Sequence, residues 1–131
     1  MRKDINIAKV ENVSLAISQE YNKAFKSNDH YAYLINHKDV ELEMVLIVSQ
    51  GTDGQRSTST IRHKIERLPA HSFAKVELMQ EELMALNNYF KVTFFENNKM
   101  FEKEFILKKG SFKEGALRHI DILDKKGIIL K

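Results

Sequence analysis

Hydrophobic and polar residues alternate along most of this chain. From Val13 to Ile17 a large apolar side chain stands at every second position, which predicts a half-buried β-strand. A helix over Val10–Phe25 is the alternative, because it would also gather apolar residues on one face. We favour the strand, since the polar turn Lys26–Asp29 and the aromatic segment Tyr31–Asn36 follow it as in a hairpin.

The same period of two predicts strands through the rest of the chain. Val40–Ser49 has the strongest pattern, and its apolar second half is typical of a central strand. Turn signals such as Asp53-Gly54 separate the segments. The further predicted strands are Ser57–Leu68, Phe73–Met79, Tyr89–Phe95, Met100–Leu107 and Ile128–Leu130. We therefore predict an all-β fold, an antiparallel immunoglobulin-like sandwich of roughly seven or eight strands, formed by one domain over residues 1–131.

Two segments depart from this pattern. Glu81–Leu86 fits one helical turn or a crossover between strands. Ser111–Glu114 matches a capping box, in which a serine and a glutamate bind the free backbone N–H groups at the start of a helix. The sequence therefore predicts one short C-terminal helix from Phe112 to about His119.

The composition is that of a globular protein, with 43% hydrophobic and 30% charged residues. The chain has no cysteine, which excludes disulfides, thiolate zinc sites and cysteine nucleophiles. No apolar stretch follows the N-terminal residues as in a signal peptide, and the longest uncharged apolar run, Met44–Val48, is too short to cross a bilayer. We therefore expect a cytoplasmic protein without a membrane span.

Positive charge is unevenly distributed. Residues 1–98 carry 12 basic and 13 acidic side chains, whereas residues 99–131 carry 9 basic and 5 acidic ones. A second concentration lies around the fourth predicted strand, and its members are candidate anion- or partner-binding residues: Arg56, Arg62, His63, Lys64 and Arg67. We favour the alternative that these charges protect an edge strand from association with other sheets.

No pattern of catalytic, cofactor-binding or metal-ligating residues is found. The five histidines are scattered and lack the spacing of a zinc site. Ser57 and Ser59 lack the glycines of a nucleophile elbow, and Gly51–Gly54 lacks the length and lysine of a phosphate-binding loop. Glu41 and Glu43 share a strand face, but sequence alone cannot supply the carboxylate pair that a glycosidase needs.

Three stretches together resemble a family of small uncharacterised bacterial proteins, some of which carry the name phenylalanyl-tRNA synthetase alpha subunit. They are Tyr33–Ser49, Ser59–His63 with Leu68–Glu77, and Leu86–Phe94. The resemblance extends from about Ile7 to Lys131, and it implies no catalytic residues. The same stretches are similar to immunoglobulin-like bacterial modules, with Leu68-Pro69-Ala70 as the corner before the next strand.

These observations favour a non-enzymatic binding or assembly module that contacts a protein partner, or a second copy of itself through a strand edge. The first alternative is a nucleic-acid or tRNA-associated protein that binds through its basic residues. The second alternative is an enzyme of unrecognised type.

Overall fold

The computed structural model describes residues 10–130, which form nine β-strands, one four-residue helix and one 3-10 turn. The strands are β1 (Val13–Asn22), β2 (Ser27–Asn36), β3 (Leu42–Thr52), β4 (Ile61–Leu68), β5 (Ser72–Leu78), β6 (Asn87–Glu96), β7 (Lys99–Leu107), β8 (Arg118–Ile120) and β9 (Lys125–Leu130). Helix α1 (Glu81–Met84) precedes β6, and the 3-10 turn spans Glu114–Ala116. No helix in this part of the chain is long and apolar enough to cross a membrane.

The strands form two antiparallel sheets that pack as a sandwich. One sheet has five strands in the order β5-β2-β1-β9-β8, and the other has four in the order β4-β3-β6-β7. In an immunoglobulin-type sandwich the corresponding orders are E-B-A and C′-C-F-G. The two orders match, and the β8–β9 hairpin is added beside β1. The predicted all-β sandwich is therefore confirmed.

The core lies between the sheets and is built from alternate residues of both. Leu15, Ile17 and Leu34 come from the five-stranded sheet, and Phe90 and Phe105 come from the four-stranded sheet. Burying each such side chain stabilises the fold by about 1.5–3 kcal/mol, so the core needs no disulfide.

The first element is the strand that we favoured, since β1 pairs along its whole length with β2. The predicted number of strands was slightly low, because the C-terminal segment supplies β8 as well as β9. The predicted strand Ser57–Leu68 is interrupted. Ser57 forms an isolated bridge with Thr52, and β4 begins only at Ile61.

The predicted C-terminal helix over Phe112–His119 is wrong, since only the 3-10 turn forms there. The Ser111 hydroxyl donates to the Lys108 carbonyl and so does not cap a helix. Glu114 turns its carboxylate to the Gln19 amide, at 3.2 Å, and to Lys126, at 3.9 Å. Gly115 in the middle disfavours a helix by about 1 kcal/mol relative to alanine. Strand pairing with β9 therefore prevails over the local helix signal.

A β-bulge near Met44 changes which residues of β3 face the core. The pairing of β3 with β6 shifts register between Glu43 and Leu46, and Met44 adopts a left-handed backbone with φ 49°. Leu42 is buried before the bulge and Val45 is buried after it, while Met44 is 71% exposed. Strict alternation predicts Leu42 and Met44 on the same face, so the bulge reverses the pattern for the rest of the strand.

The chain's own C-terminal segment covers part of the outer face of the five-stranded sheet, although Phe73 and Ile129 on that face stay 43% and 41% exposed. Ile120 and Leu123 pack onto Ala16, Tyr33 and Ile35 and form a second, smaller core. The four-stranded sheet has no such cover within residues 10–130. Its outer face is therefore open over all four strands.

Candidate functional site on the outer face of the four-stranded sheet

The outward side chains of β4, β3, β6 and β7 form ordered rows across the four-stranded sheet. We call this surface the outer face. The first row is Arg62, Val48, Lys91 and Glu104, and the second is Lys64, Leu46, Thr93 and Glu102. Adjacent strands lie about 4.8 Å apart, so each row spans roughly 14 Å between β4 and β7.

Charge changes sign from one edge of the outer face to the other. Arg62 and Lys64 supply two cations on β4, next to one carboxylate from Glu66, whereas Glu102 and Glu104 supply two carboxylates on β7. Within the described residues, Lys91 and Glu102 form an ion pair at 3.6 Å, but Arg62, Lys64 and Glu104 have no intramolecular ion pair. The face therefore carries an electrostatic gradient that its own side chains leave largely uncompensated.

An apolar strip crosses the centre of the outer face, next to Lys91 on β6. Leu46 and Val48 on β3 are half-buried, as is Tyr89 on β6. Tyr89 lies opposite Ile106, which is 40% exposed. The outer face thus combines an apolar strip with charged side chains along both of its edges.

The structure divides the five predicted binding residues among four environments. Arg62 and Lys64 share the outer face, as their spacing on a strand requires. Arg67 is exposed and lies 3.6 Å from Glu41. Arg56 lies in the β3–β4 loop, away from the strand. The fifth residue, His63, points to the interior.

Arg56 is held by its own loop. Its backbone N–H and that of Gln55 donate to Asp53 Oδ1, and its guanidinium donates to Oδ2 at 3.1 and 3.2 Å. These backbone and side-chain hydrogen bonds lower the pKa of Asp53 to about 2. Arg56 is therefore already engaged with a carboxylate of the same turn.

His63 joins the edges of the two sheets. Its Nε2 lies 3.1 Å from Glu77 Oε1 on β5, and the Ser49 hydroxyl donates to the same oxygen at 2.7 Å. The pairing of β5 with β2 shifts register between Ala32 and Tyr33. This shift brings Glu77 to the inner side, where its side chain is only 9% exposed. A small cavity of about 100 Å³ lies beside Glu77 and Ser49.

This trio does not have the order of a hydrolytic triad. In such a triad the histidine accepts the proton of the serine, and the carboxylate orients the histidine. Here the carboxylate stands in the middle, and Ser49 donates to Glu77 rather than to His63. The arrangement cross-links two strands, and it leaves the serine without a base.

A second concavity, a groove of about 710 Å³, lies at the other end of the sandwich between β2, α1 and the 3-10 turn. Asp29, Glu81 and Glu114 give it negative charge, and Phe112 lies edge-on to His30 with ring centroids 4.7 Å apart. Burial lowers the pKa of His30 and so favours its neutral form. Across residues 10–130, no three His, Asp or Glu side chains are grouped so that they could hold a metal ion.

Sequence reasoning found one edge of the outer face and missed the rest. Arg62 and Lys64 stood out because they are close in the chain. Lys91, Glu102 and Glu104 lie on two later strands, and only the pairing of β3 with β6 and of β6 with β7 brings them into the same rows. The alternation in β6 and β7 predicts that these three side chains point outward, but it does not predict which side chains lie next to them.

Comparison with protein-family models, with curated protein sequences and with solved structures gives no match to this chain. The resemblance of the three stretches to a bacterial family therefore stays a prediction.

Proposed function

We propose that this protein is a non-enzymatic protein-binding module, and that its binding surface is the outer face of the four-stranded sheet. The observation that carries the proposal is the contrast between the two sheets. The chain covers the middle of one sheet with its own apolar residues Ile120 and Leu123, but leaves Leu46 and Val48 at the centre of the other without such a cover. Removing accessible apolar area from water is favourable, so a partner that covers this area gains binding free energy.

The edges of the sheets favour this face over strand addition. Charged Arg62 and Lys64 project from edge strand β4, and inward-pointing Lys103 on edge strand β7 lies 4.9 Å from the centre of the Phe105 ring. Edge strand β5 carries a register shift, and β8 has only three residues. Charges, bulges and short strands all protect an edge against pairing with another strand.

Nucleic-acid binding receives less support from the geometry. The five predicted residues do not form one surface, since His63 faces inward and Arg56 is bound to Asp53. Two acidic residues, Glu102 and Glu104, share the outer face with Arg62 and Lys64, and they would repel phosphates. Binding of this kind would weaken steeply with salt, which a titration of labelled tRNA measures directly.

The cytoplasmic location also remains a prediction.

Site-specific photocrosslinking in cells tests the proposed function. A photoreactive amino acid replaces Gln50, which is exposed on the outer face beside Tyr89. A matched variant carries it at Asp121, an exposed residue of the turn before β9. We expect defined protein adducts from position 50 and none from position 121. Adducts of equal yield and size from both positions, or no adduct from position 50, would contradict the proposal.

A further inference from the structure

We infer that the partner of the outer face is a second copy of this chain, placed by a two-fold axis that runs parallel to the strands in the plane of the contact. The inference rests on the proposed function. It goes further by naming the partner and its orientation.

The distribution of charge selects this axis. Rotation about a line parallel to the strands places β4 of one copy over β7 of the other. Arg62 then faces Glu104 of the second copy, and Lys64 faces Glu102 of the second copy, because each pair shares one row of the sheet. Each contact occurs twice, as in any two-fold interface. The surface is thus complementary to itself.

The other two-fold arrangement of the same faces is disfavoured. An axis perpendicular to the strands would place β4 over β4 and β7 over β7. Arg62 and Lys64 would then face the cations of the second copy, and Glu102 and Glu104 would face its carboxylates. Such juxtaposition of like charges excludes a partner as effectively as a clash.

The centre of the face also fits a second copy. Under the parallel axis Val48 lies over the aliphatic stem of Lys91 of the second copy, and Leu46 lies over Thr93 of the second copy. These contacts bury the apolar strip and leave the charges of Arg62, Lys64, Glu102 and Glu104 at its margins. Two sheets packed in this way lie about 10 Å apart, as in the interior of a sandwich.

The size of the face sets the expected affinity. Four strands and four rows of outward side chains cover about 20 Å by 20 Å, or about 800 Å² over the two copies, which is the size of a weak, transient interface. We therefore expect a reversible dimer with a Kd on the order of 10 µM rather than a permanent one.

Charge reversal tests the arrangement by sedimentation equilibrium over a range of concentrations. The double variant R62E/K64E should raise the dimer Kd at least about tenfold, and so should E102K/E104K. An equimolar mixture of the two should form heterodimers, because the reversed charges again face opposite partners. K108E/K109E and E81K/E82K change the net charge equally at exposed positions off the face, and they should leave the Kd unchanged.

The outcomes separate this inference from the proposed function. A wild-type chain that stays monomeric up to about 200 µM, far above the expected Kd, overturns self-association. A photoadduct from position 50 with the mass of another protein then preserves the proposed function alone. A dimer that both reversals leave intact overturns the arrangement. Unchanged thermal midpoints of the variants show that loss of the dimer is not loss of the fold.

Discussion

His63 Nε2 and Glu77 Oε1 lie 3.1 Å apart and connect the edge strand of one sheet to the edge strand of the other. Glu77 is nearly buried and also accepts a hydrogen bond from Ser49. These contacts close the side of the sandwich where β4 and β5 meet.

His63→Leu should destabilise the protein, because it removes one of the two hydrogen-bond partners of a nearly buried carboxylate. We expect a loss of about 1–3 kcal/mol in the free energy of unfolding. Glu66→Gln changes an exposed side chain on the same strand and should have little effect. Urea denaturation of the three proteins measures the difference, and equal midpoints would refute the role of the cross-link.

Asn36 ties the end of β2 to the end of β4. Its side-chain amide donates to the carbonyls of Val40, Leu68 and Pro69, and its Oδ1 accepts the N–H of Lys38. Asn36→Ala leaves one buried and three part-buried backbone groups without this partner and should lower the stability by about 2–4 kcal/mol.

Asn36→Asp should also be destabilising, because an ionised carboxylate cannot donate to three carbonyls. Asn28→Ala is the control, since Asn28 is exposed. Thermal unfolding followed by circular dichroism compares these variants. A wild-type midpoint for Asn36→Ala would show that the network contributes nothing.

Gly127 allows β9 to pair closely with β1. A Cβ atom at this position would clash with the Ile17 carbonyl oxygen. That oxygen belongs to the paired backbone of β1 and cannot move aside. Gly127→Ala should therefore destabilise the protein by about 1–3 kcal/mol. A Cβ atom at Gly115 would meet no other atom within 4 Å, so Gly115→Ala should be neutral or slightly stabilising. Equal unfolding free energies for the two variants would contradict the close approach.

Glu20 should make stability depend on pH in the acid range. Burial alone would raise its pKa, but hydrogen bonds from Tyr33 and Ser18 and the charges of Lys75 and Lys125 outweigh it and lower the pKa below 4.5. A carboxylate of lowered pKa stabilises the fold above its unfolded pKa, and the contribution is lost as pH falls through the folded pKa.

The measurement is the free energy of unfolding between pH 7 and pH 3. Glu20→Gln should be less stable than the wild type at pH 7 and should lose less stability on acidification. Parallel curves for the two proteins would show that Glu20 does not contribute to the pH dependence.

Much of the fold followed from local pattern. Alternation predicted β1, and adjacent hairpins such as β6–β7 need only a turn between two apolar segments. Alternation also predicted that Arg62 and Lys64 share a face. It failed at Met44 and at Glu77, where a bulge or register shift moves the next side chains to the opposite side.

The helix expected at Phe112–His119 failed for a related reason. A capping box is a local signal, but β9 offered Arg118–Ile120 a strand partner, and Glu114 found partners outside its own segment.

The sequence by itself determined an all-β chain with an apolar core, no cysteine chemistry and a charged fourth strand. These properties depend on residues that are neighbours in the chain, so composition and the alternation of apolar and polar residues predict them. Only the tertiary structure decided that His63 meets Glu77, that the C-terminal hairpin covers one sheet, and that cations and carboxylates occupy opposite margins of the other. Each of these depends on strands that are distant in sequence but adjacent in a sheet, and strand order is set by the packing of the whole domain.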